Sequence, residues 1–395
     1  MSATHANADA PAAENLLAGL DLACVPSPAF VVDAAALARN AALLARLRAE
    51  TGVRVLLALK GFALWRAFPL LRGALDGVCA SGAHEARLGA EEFGGEVHTY
   101  APAFRPGEFA EVLGRSTHVT FNSVAEWQRH RAAAAARGVS CGLRLNPGFS
   151  AAPAALYDPC APGSHLGVSA AALAGVDLAG LDGFHVHALC QQDAAACAGL
   201  VEAVLARFGP LLGARRWLNL GGGHHFTRPG YDLAGFAAVM GKLRAVFPGE
   251  IYVEPGEAVA LHAGVLVATV LDVVTNDGIA TAILDTSATA HMPDVLEMPY
   301  RPEIVGAGRV GEKAHAFRLA GSTCLAGDVI GTYAFDRALV AGDRLVFLDM
   351  AHYSMVKTTT FNGIGLPAIA LWHADERRLE VCREFGYADY RGRLA

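Results

Sequence analysis

A lysine stands at the end of an apolar, strand-like run near the beginning of the chain. The run VRVLLALK spans residues 53–60 and ends at Lys60, which a glycine follows. A charged ammonium at the end of a buried strand is costly unless it is paired, reaches solvent at a rim or serves chemistry. An amine at the mouth of a site can attack a carbonyl group and form a Schiff base with a substrate or an aldehyde cofactor. Lys60 is therefore a candidate nucleophile.

Seven further strand-like runs follow, and polar residues stand at their ends. The runs are DGVCAS, EVHTY, HVTFNS, CGLRLNP, GFHVHAL, RWLNLGGG and EIYVEPGEA. Segments with apolar residues at helical spacing separate most of them, which predicts an α/β fold with a (β/α)8 barrel of the TIM type. At the strand ends stand Ser81, Tyr100, Asn122, Arg144, Asn146, His187, Gly221 to Gly223, His224 and Glu254. Because barrel enzymes build their sites at the carboxyl ends of the strands, we expect these residues to surround Lys60.

The pattern changes after about residue 260. Strand-like runs then follow one another without long helices, which predicts a C-terminal all-β domain with a Greek-key-like arrangement. The early run PAFVVD, residues 28–33, also reads as a strand. We therefore expect an N-terminal segment at residues 1–34 that packs with the β domain, a cofactor-binding barrel at 35–260 and the β domain at 261–395.

Composition narrows the class of protein. The chain has 395 residues, a formal net charge of −6 and lysines and arginines scattered along its length, which argues against nucleic acid or an anionic membrane as the main partner. The most apolar run, AGVLVATVLDVV, is interrupted by Asp272 and is too short to span a bilayer. The first residues lack a signal-peptide pattern, and the eight cysteines lack a paired framework, which is typical of reduced thiols. We expect a cytoplasmic enzyme.

The residues at the strand ends match the needs of one cofactor, pyridoxal phosphate. Lys60 would hold its aldehyde, and the three glycines of LNLGGGHH would let backbone N–H groups approach its phosphate. Glu254 would keep the pyridine nitrogen protonated, so that the ring can accept electrons. His187 offers a flat ring for stacking. A triple glycine alone is more often a tight turn, so its weight comes from its place in the seventh run.

Long motifs along the chain extend this interpretation. They include LALKGFALW, HVHALCQQ, WLNLGGGHHFTRP, VEPGEAVAL, LDTSATAHMPDVLEMPYRP, STCLAGDVIG and DMAHYSMVKTTTFNG. These motifs resemble the fold-type III pyridoxal-phosphate decarboxylases, an alanine racemase-like group that includes ornithine and diaminopimelate decarboxylases. Within this group the chain is most similar to the carboxynorspermidine/carboxyspermidine decarboxylases, over almost its whole length. The resemblance implies a carboxy-lyase of polyamine biosynthesis that forms norspermidine or spermidine.

The resemblance also implies roles for individual residues. Lys60 matches the lysine that binds the cofactor aldehyde, His187 the histidine stacked on the ring, and Glu254 the acid at the pyridine nitrogen. The glycines match the phosphate loop, and Tyr353 matches a tyrosine that reaches the phosphate from the β domain. The expected cofactor contacts are thus Lys60, Arg144, His187, Gly221, Gly222, Gly223, Glu254 and Tyr353.

Cys324 matches the cysteine that returns a proton to the substrate carbon after carbon dioxide leaves. In the family this cysteine typically comes from the partner subunit, which implies a head-to-tail homodimer with shared active sites. Lys60, Cys324, Glu254 and His187 form the expected catalytic set. Without the motif, a cysteine in STCLAGD would more often be a buried thiol.

Departures from the ornithine-type pattern indicate the substrate. Leu325 stands where those enzymes have an aspartate after the cysteine, Glu257 replaces an arginine, and Cys190 replaces a serine. Glu257 favours a substrate with additional positive charge, such as a carboxylated polyamine. The expected substrate-binding carboxylates are Glu257, Asp285, Asp294 and Asp328. Thr332 stands where the closest family commonly has an aspartate, with no assigned effect.

Three alternatives remain open at this stage. meso-Diaminopimelate is a second candidate substrate, although its distal carboxylate would prefer a basic pocket and Glu257 is acidic. A metal-dependent barrel hydrolase could use the HxH pair His185 and His187 with His224, His225 and Glu254. Such a metal site leaves Lys60 without a role. A non-catalytic relative is the third alternative, and the presence of both Lys60 and Cys324 argues against it.

Overall fold

The computed structural model describes residues 16–152 and 157–395. The first 15 residues of the expected N-terminal segment lie outside the described part of the chain. Contacts between Cα atoms divide the chain into two compact units. One unit comprises Arg39–Val259, and the other comprises the residues up to Ala38 together with Ala260–Ala395.

The first unit contains a closed barrel of eight parallel strands. The strands are β2 (Arg54–Ala58), β3 (Gly77–Ala80), β4 (Glu96–Tyr100), β5 (His118–Phe121), β6 (Ser140–Leu145), β7 (Gly183–Val186), β8 (Trp217–Asn219) and β9 (Glu250–Val253). Each strand pairs with the next in sequence, and β9 returns to β2 through Arg54 opposite Tyr252. The predicted (β/α)8 fold is therefore confirmed. Buried aliphatic residues such as Leu56, Val78 and Val253 recur in these strands because a parallel barrel covers both faces of each strand.

Helices connect most of the barrel strands. They are α1 (Ala34–Thr51), α2 (Ala83–Leu88), α3 (Pro106–Arg115), α4 (Val124–Ala135), α5 (Ala194–Leu212), α6 (Leu233–Arg244) and α7 (Glu257–Ala260). The N-cap residue before each of three helices accepts a hydrogen bond from a backbone N–H of the first turn. These residues are Ser123 before α4, Asp193 before α5 and Asp232 before α6. These caps satisfy amides that a helix start leaves without partners.

Helix α5 is long and apolar enough to cross a bilayer, judged by length and composition alone. Its buried residues recur every three or four positions, from Cys197 through Leu200 and Val204 to Phe208. This spacing places one stripe against the barrel, and the helix also packs beside α6. We therefore assign α5 to the outer layer of the barrel.

The second unit is built on a mixed sheet. Its strands are β1 (Ala29–Asp33), β10 (Gly264–Asn276), β11 (Ile279–Leu284), β12 (His315–Ala320), β13 (Val329–Phe335), β14 (Arg344–Leu348), β15 (Ala368–His373) and β16 (Arg378–Arg383). The order is β13-β12-β11-β10-β1-β15-β16, and β14 pairs with β10. β1 lies antiparallel to β10 and parallel to β15.

Three short helices interrupt the all-β pattern expected for the C-terminal part. They are α8 (Ala288–His291), α9 (Asp294–Glu297) and α10 (Tyr387–Gly392). Ser287 caps α8 by accepting a hydrogen bond from the N–H of Ala290. Helices of four to six residues fall below the length at which apolar periodicity can be recognised, so the sequence pattern did not predict them.

Candidate active site

Lys60 follows β2 by two residues and is exposed. The backbone around it is fixed, because the N–H of Ala58 donates to Pro255 O at 3.0 Å and the N–H of Leu59 to Cys79 O at 3.1 Å. A Cβ on Gly61 would lie 2.9 Å from the Cα of Gly256, so glycine allows this close approach to the segment after β9. The turn that carries Lys60 is thus held beside the end of β9, where Glu254 begins the next loop.

Glu254 has two ordered partners inside the barrel. Its Oε1 accepts a hydrogen bond from Asn219 Nδ2 at 2.7 Å, and its Oε2 lies 3.2 Å from His185 Nε2. Burial alone would raise the pKa of the Glu254 carboxyl, but the nearby His185 and His187 outweigh burial and lower this pKa below its ordinary value. Glu254 is therefore an ionised carboxylate with a fixed orientation at neutral pH.

The HxH pair of β7 serves two different contacts. The His185 ring stacks on Tyr100, with centroids 5.5 Å apart and planes 18° apart. His187 Nδ1 accepts a hydrogen bond from the N–H of Gly222 at 3.0 Å, so the proton of the neutral ring lies on Nε2. Burial lowers the pKa of His187, and the positive charges of Lys60 and Arg144 lower it further. The His187 ring is accordingly neutral and oriented.

The three glycines after β8 allow contacts that a side chain would block. A Cβ on Gly221 would lie 2.3 Å from Val186 O, one on Gly222 2.5 Å from Glu254 O, and one on Gly223 2.0 Å from Leu189 O. Gly221 and Gly223 also have φ of +71° and +89°, in the region that glycine occupies most readily. The loop therefore lies directly between His187 and Glu254.

Two adjacent backbone N–H groups of this loop have no acceptor within residues 16–152 and 157–395. Gly221 donates its N–H to Asn219 Oδ1 at 2.8 Å and Gly222 donates to His187, whereas the N–H groups of Gly223 and His224 donate to no acceptor in the described ranges. Consecutive free N–H groups in a glycine-rich turn suit an anion such as a phosphate.

Arg144 lies on β6 and is 4% exposed. Its Nη2 donates to the backbone oxygen of His187 at 3.1 Å, and its guanidinium carbon lies 4.8 Å from the centroid of the Tyr100 ring. In this arrangement Arg144 supports the segment that carries His187.

Several residues near Lys60 and Glu254 were not expected from the sequence. Asn219 orients Glu254 from β8, and Cys79 and Glu85 lie close enough to Lys60 for its charge to act on them. Burial raises the pKa of the Cys79 thiol well above its ordinary value, with Glu254 adding to the effect. Asn219 could have been found from its place two residues before the glycines, whereas β3 gave no comparable signal for Cys79.

Glu257 already has partners inside the barrel unit. Its two carboxylate oxygens accept hydrogen bonds from Gln191 Nε2 at 2.9 and 3.2 Å, and Oε2 lies 3.1 Å from His225 Nε2. Its side chain is 18% exposed. The carboxylate is thus partly accessible and stands opposite an amide and an imidazole.

The three predicted carboxylates of the second unit have structural contacts, which argues against the expected substrate role. Asp285 accepts hydrogen bonds from Ser27 Oγ at 2.6 Å and from the N–H of Thr269 at 2.8 Å. Asp328 is 2% exposed and accepts hydrogen bonds from Ser287 Oγ at 2.8 Å and from Thr323 Oγ1 at 2.6 Å. Asp294 forms an ion pair with Lys357, which also contacts Glu297 at 2.7 Å. Most of their donors, such as Ser27 for Asp285 and Lys357 for Asp294, lie far away in sequence, so these contacts could not be predicted from sequence spacing.

Tyr353 and Cys324 also belong to the second unit. Tyr353 has φ of +51°, and the nearby Asp349 has φ of +55°. Asp349 accepts a hydrogen bond from the N–H of His262 at 2.6 Å and lies 2.9 Å from its Nδ1, which fixes the start of the segment that carries Tyr353. Cys324 is an exposed free thiol, and all eight cysteines are free.

The metal-site alternative does not match the arrangement of the histidines. In the described ranges, one group of three or more metal-ligating residues has its ligand atoms within 4.8 Å of one another, namely Glu96, His98 and His118. These residues lie on β4 and β5, toward the ends where the strands begin, and Arg54 forms an ion pair with Glu96. A bound arginine there opposes a cation, so this group is better described as a structural cluster.

Comparisons with known proteins agree with the geometry. Residues 29–351 match the family described as pyridoxal-dependent decarboxylase, C-terminal sheet domain. This chain belongs to the pyridoxal-dependent decarboxylases. A carboxyaminopropylagmatine decarboxylase from Synechocystis is 47% identical, over 97% of this chain and 99% of the relative. A carboxynorspermidine/carboxyspermidine decarboxylase from Campylobacter jejuni is 42% identical, over 93% of this chain and 98% of the relative.

A solved structure of a related decarboxylase has the same fold as this chain. The crystal structure of carboxynorspermidine decarboxylase from Campylobacter jejuni, complexed with norspermidine, aligns with a TM-score of 0.86 at 39% identity. The alignment covers 93% of this chain and 100% of that chain. The predicted family and enzyme class are therefore confirmed.

The donors at the barrel end fit the cofactor that gives the family its name. An exposed amine, an ionised carboxylate, a neutral ring and two backbone N–H groups without an acceptor in the described part of the chain lie at one end of the barrel. They correspond to the aldehyde, the pyridine nitrogen, the ring face and the phosphate of pyridoxal phosphate.

Proposed function

We propose that this decarboxylase removes the carboxyl group of carboxynorspermidine, carboxyspermidine or both, to form norspermidine or spermidine in polyamine biosynthesis. The observation that carries the proposal is the arrangement at the barrel end, where the exposed Lys60 lies beside a fixed Glu254 and a neutral His187. The substrate class follows from the relatives that share about two fifths of their residues with this chain over nearly its full length.

The residues at the barrel end have distinct tasks. Pyridoxal phosphate, when bound, supplies the electron sink for the pair of electrons that carbon dioxide leaves behind. Lys60 holds the cofactor and gives way to the substrate amine. Glu254 keeps a proton on the pyridine nitrogen, because its ionised state is stabilised by His185 and Asn219. His187 covers the ring as a neutral partner.

Six further residues complete the proposed cofactor site. Gly221 and Gly222 shape the loop, and the N–H groups of Gly223 and His224 donate to the phosphate. Tyr353 adds a phenol to the phosphate, and Arg144 holds the backbone of His187. Glu254 and these loop residues come from neighbouring barrel strands, which supports a single site for both ends of the cofactor.

Cys324 returns the proton to the substrate carbon after carbon dioxide leaves. We assign this task to the thiol of a second subunit in a head-to-tail homodimer, with residues 35–260 as the cofactor-binding domain and 261–395 as the β domain. The exposure of Cys324 supports the assignment, because a buried thiol could not reach a partner's site. The eight free cysteines support a reducing, cytoplasmic location.

Glu257 is the carboxylate that we retain for the cationic part of the substrate. It is partly exposed, and a substrate ammonium could replace the amide of Gln191 as its partner. Asp285 and Asp328 are satisfied by neighbouring residues, and Asp294 by Lys357, so they are assigned to structure. An acidic Glu257 also opposes the distal carboxylate of meso-diaminopimelate.

Carboxyaminopropylagmatine is a second candidate substrate. The Synechocystis relative named for it shares 47% of its residues with this chain. This compound ends in the guanidinium group of agmatine, whereas the carboxylated polyamines end in an ammonium group. Both ends are cationic, so Glu257 favours neither over the other.

Product analysis by mass spectrometry tests the proposal. Purified protein with pyridoxal phosphate would be incubated separately with carboxynorspermidine, carboxyspermidine, carboxyaminopropylagmatine, meso-diaminopimelate, ornithine, arginine and lysine. We expect norspermidine or spermidine to form fastest, and the ratio of kcat/KM values ranks the substrates. Faster turnover of carboxyaminopropylagmatine would establish the second candidate. Turnover of none of these three would refute the assigned substrate class.

A further inference from the structure

Cys324 lies in a short loop between β12 and β13. Cys324 and the following Leu325 are exposed, and loops of this kind are mobile when their backbone groups bond only to water. This loop is instead fixed at two points, and both belong to the second unit. The two anchors are Asp328, at the C-terminal end of the loop, and Asn362, which lies far along the chain.

Asp328 is the first anchor. Its Oδ2 accepts hydrogen bonds from Thr323 Oγ1 at 2.6 Å and Ser287 Oγ at 2.8 Å, and its Oδ1 accepts one from the N–H of Thr289 at 3.2 Å. The N–H of Asp328 donates to Leu325 O at 2.9 Å. The residues on either side of Cys324 are thereby tied to a buried carboxylate.

Asn362 is the second anchor and contacts Cys324 itself. The N–H of Cys324 donates to Asn362 Oδ1 at 2.8 Å. Asn362 has φ of 57° and ψ of 11°, a left-handed conformation that asparagine tolerates better than most residues. Its side chain is exposed, and backbone strain of this kind concentrates at functional sites.

We propose that Asn362 is a positioning residue that holds Cys324 where its thiol can deliver a proton to the substrate carbon. The inference rests on the proposed function of Cys324. With pyridoxal phosphate bound, displacement of the thiol would let the proton add to the cofactor carbon that carries the aldehyde. Water would then add to the substrate carbon, the bond from that carbon to nitrogen would break, and the products would be an aldehyde and pyridoxamine phosphate. No oxidant is needed, because the proton and the electron pair left by carbon dioxide end on the cofactor carbon instead of the substrate carbon.

Three substitutions separate the hydrogen bond from the backbone conformation. Asn362→Gly keeps access to positive φ but removes the acceptor, Asn362→Ala removes both, and Asn362→Asp keeps a carboxylate acceptor in a residue that tolerates positive φ. Asp277→Gly is the matched control, because Asp277 is exposed and has φ of 51° in the hairpin turn between β10 and β11.

Three readouts test the proposal, two in the holoenzyme and one in the cofactor-free protein. Mass spectrometry gives the ratio of aldehyde to amine product with the substrate that turns over fastest, and absorbance follows pyridoxamine phosphate. We expect Asn362→Gly and Asn362→Ala to raise the aldehyde fraction by about fivefold or more, the effect of losing one hydrogen bond. Hydrogen exchange in cofactor-free protein should show faster exchange of the Cys324 amide in the same two variants.

The rescue variant and the control decide the outcome. Asn362→Asp should restore most of the wild-type ratio and amide protection, and Asp277→Gly should match wild type. An aldehyde fraction in Asn362→Gly equal to that of Asp277→Gly would overturn the inference, as would an Asp variant as defective as the Gly variant. A Cys324→Ala protein with a wild-type product ratio would instead refute the assigned role of Cys324, and the positioning role would fail with it.

Discussion

The two ends of the barrel hold the same kinds of residues in different states of pairing. Toward the ends where the strands begin, Glu96 lies 3.0 Å from His98 Nε2, accepts a hydrogen bond from Tyr252 at 3.0 Å and is paired with Arg54. At the ends where the strands finish, Glu254 contacts His185 Nε2 and accepts a hydrogen bond from Asn219. Lys60, by contrast, has no carboxylate partner in the described part of the chain. A glutamate–histidine pair therefore does not by itself identify the active site.

The difference lies in what is left unpaired. In the Glu96 cluster each charged group has an internal partner, which makes the cluster part of the structure. Around Glu254, the exposed amine of Lys60 and the N–H groups of Gly223 and His224 have no hydrogen-bond partner among the described residues, so they can bind a ligand without breaking contacts seen there. Activity should therefore depend on the Glu254 end and stability on the Glu96 end.

Replacing Lys60 with alanine should have the largest effect on activity. Without the amine, the protein should lose covalent cofactor, the absorbance of the bound aldehyde and turnover down to background. Borohydride reduction followed by peptide mapping would locate the cofactor on Lys60 in the wild-type protein. Lys242→Ala, which removes an exposed amine from α6, is the matched control and should behave like wild type. Wild-type turnover by cofactor-free Lys60→Ala protein would refute the proposed mechanism.

Glu254→Gln should reduce activity strongly while cofactor remains bound. An amide cannot hold a proton on the pyridine nitrogen as a carboxylate does, so kcat/KM should fall by about 10²–10⁴-fold, the usual worth of a positioned proton-transfer group. Steady-state kinetics with saturating cofactor would measure this loss. A change of less than about twofold would mean that another group sets the protonation state of the ring.

Glu96→Gln is the same substitution at the opposite end of the barrel, and its effect should be on stability. The variant removes the charge that Arg54 and His98 face, which should lower the free energy of unfolding by about 1–2 kcal/mol. Urea denaturation would measure the loss, and kcat/KM should equal the wild-type value. A loss of activity without a loss of stability would contradict the separation of the two ends.

The sequence predicted one end of the barrel better than the other for a physical reason. Parallel strands finish at the same edge, so Lys60, His187 and Glu254 could be grouped from the ends of their runs alone. The partners of Glu254 depend on which side chains point inward from strands far apart in sequence, and that requires the strand register. For this reason the HxH spacing indicated only a possible metal-ligand role for His185, whereas in the structure His185 contacts Glu254.

The acidic residues of the β domain illustrate a second limit. Asp285, Asp294 and Asp328 stand in motifs that resemble a polyamine decarboxylase, and a carboxylate there can bind a ligand or a neighbouring donor. The choice depends on donors such as Ser27, which lies more than 200 residues from Asp285. Composition and spacing carry no information about such contacts, whereas the overall order of strands and helices was predictable.

The smallest expected effect is on the pH dependence of the free energy of unfolding, and it comes from His118 in the Glu96 cluster. Burial lowers the pKa of His118 to about 3, and His98 adds to this effect. Between about pH 6.5 and this value, the unfolded chain binds a proton that the folded chain does not, so the free energy of unfolding falls as pH falls. His118→Gln should reduce this slope by up to about 1.4 kcal/mol per pH unit, measured by urea denaturation between about pH 5 and 7. His224, whose pKa burial lowers to about 4, remains in both proteins and contributes equally. Parallel stability curves for the two proteins would show that the folded chain protonates His118 as readily as the unfolded chain does, and the cluster would then be less buried than its contacts indicate.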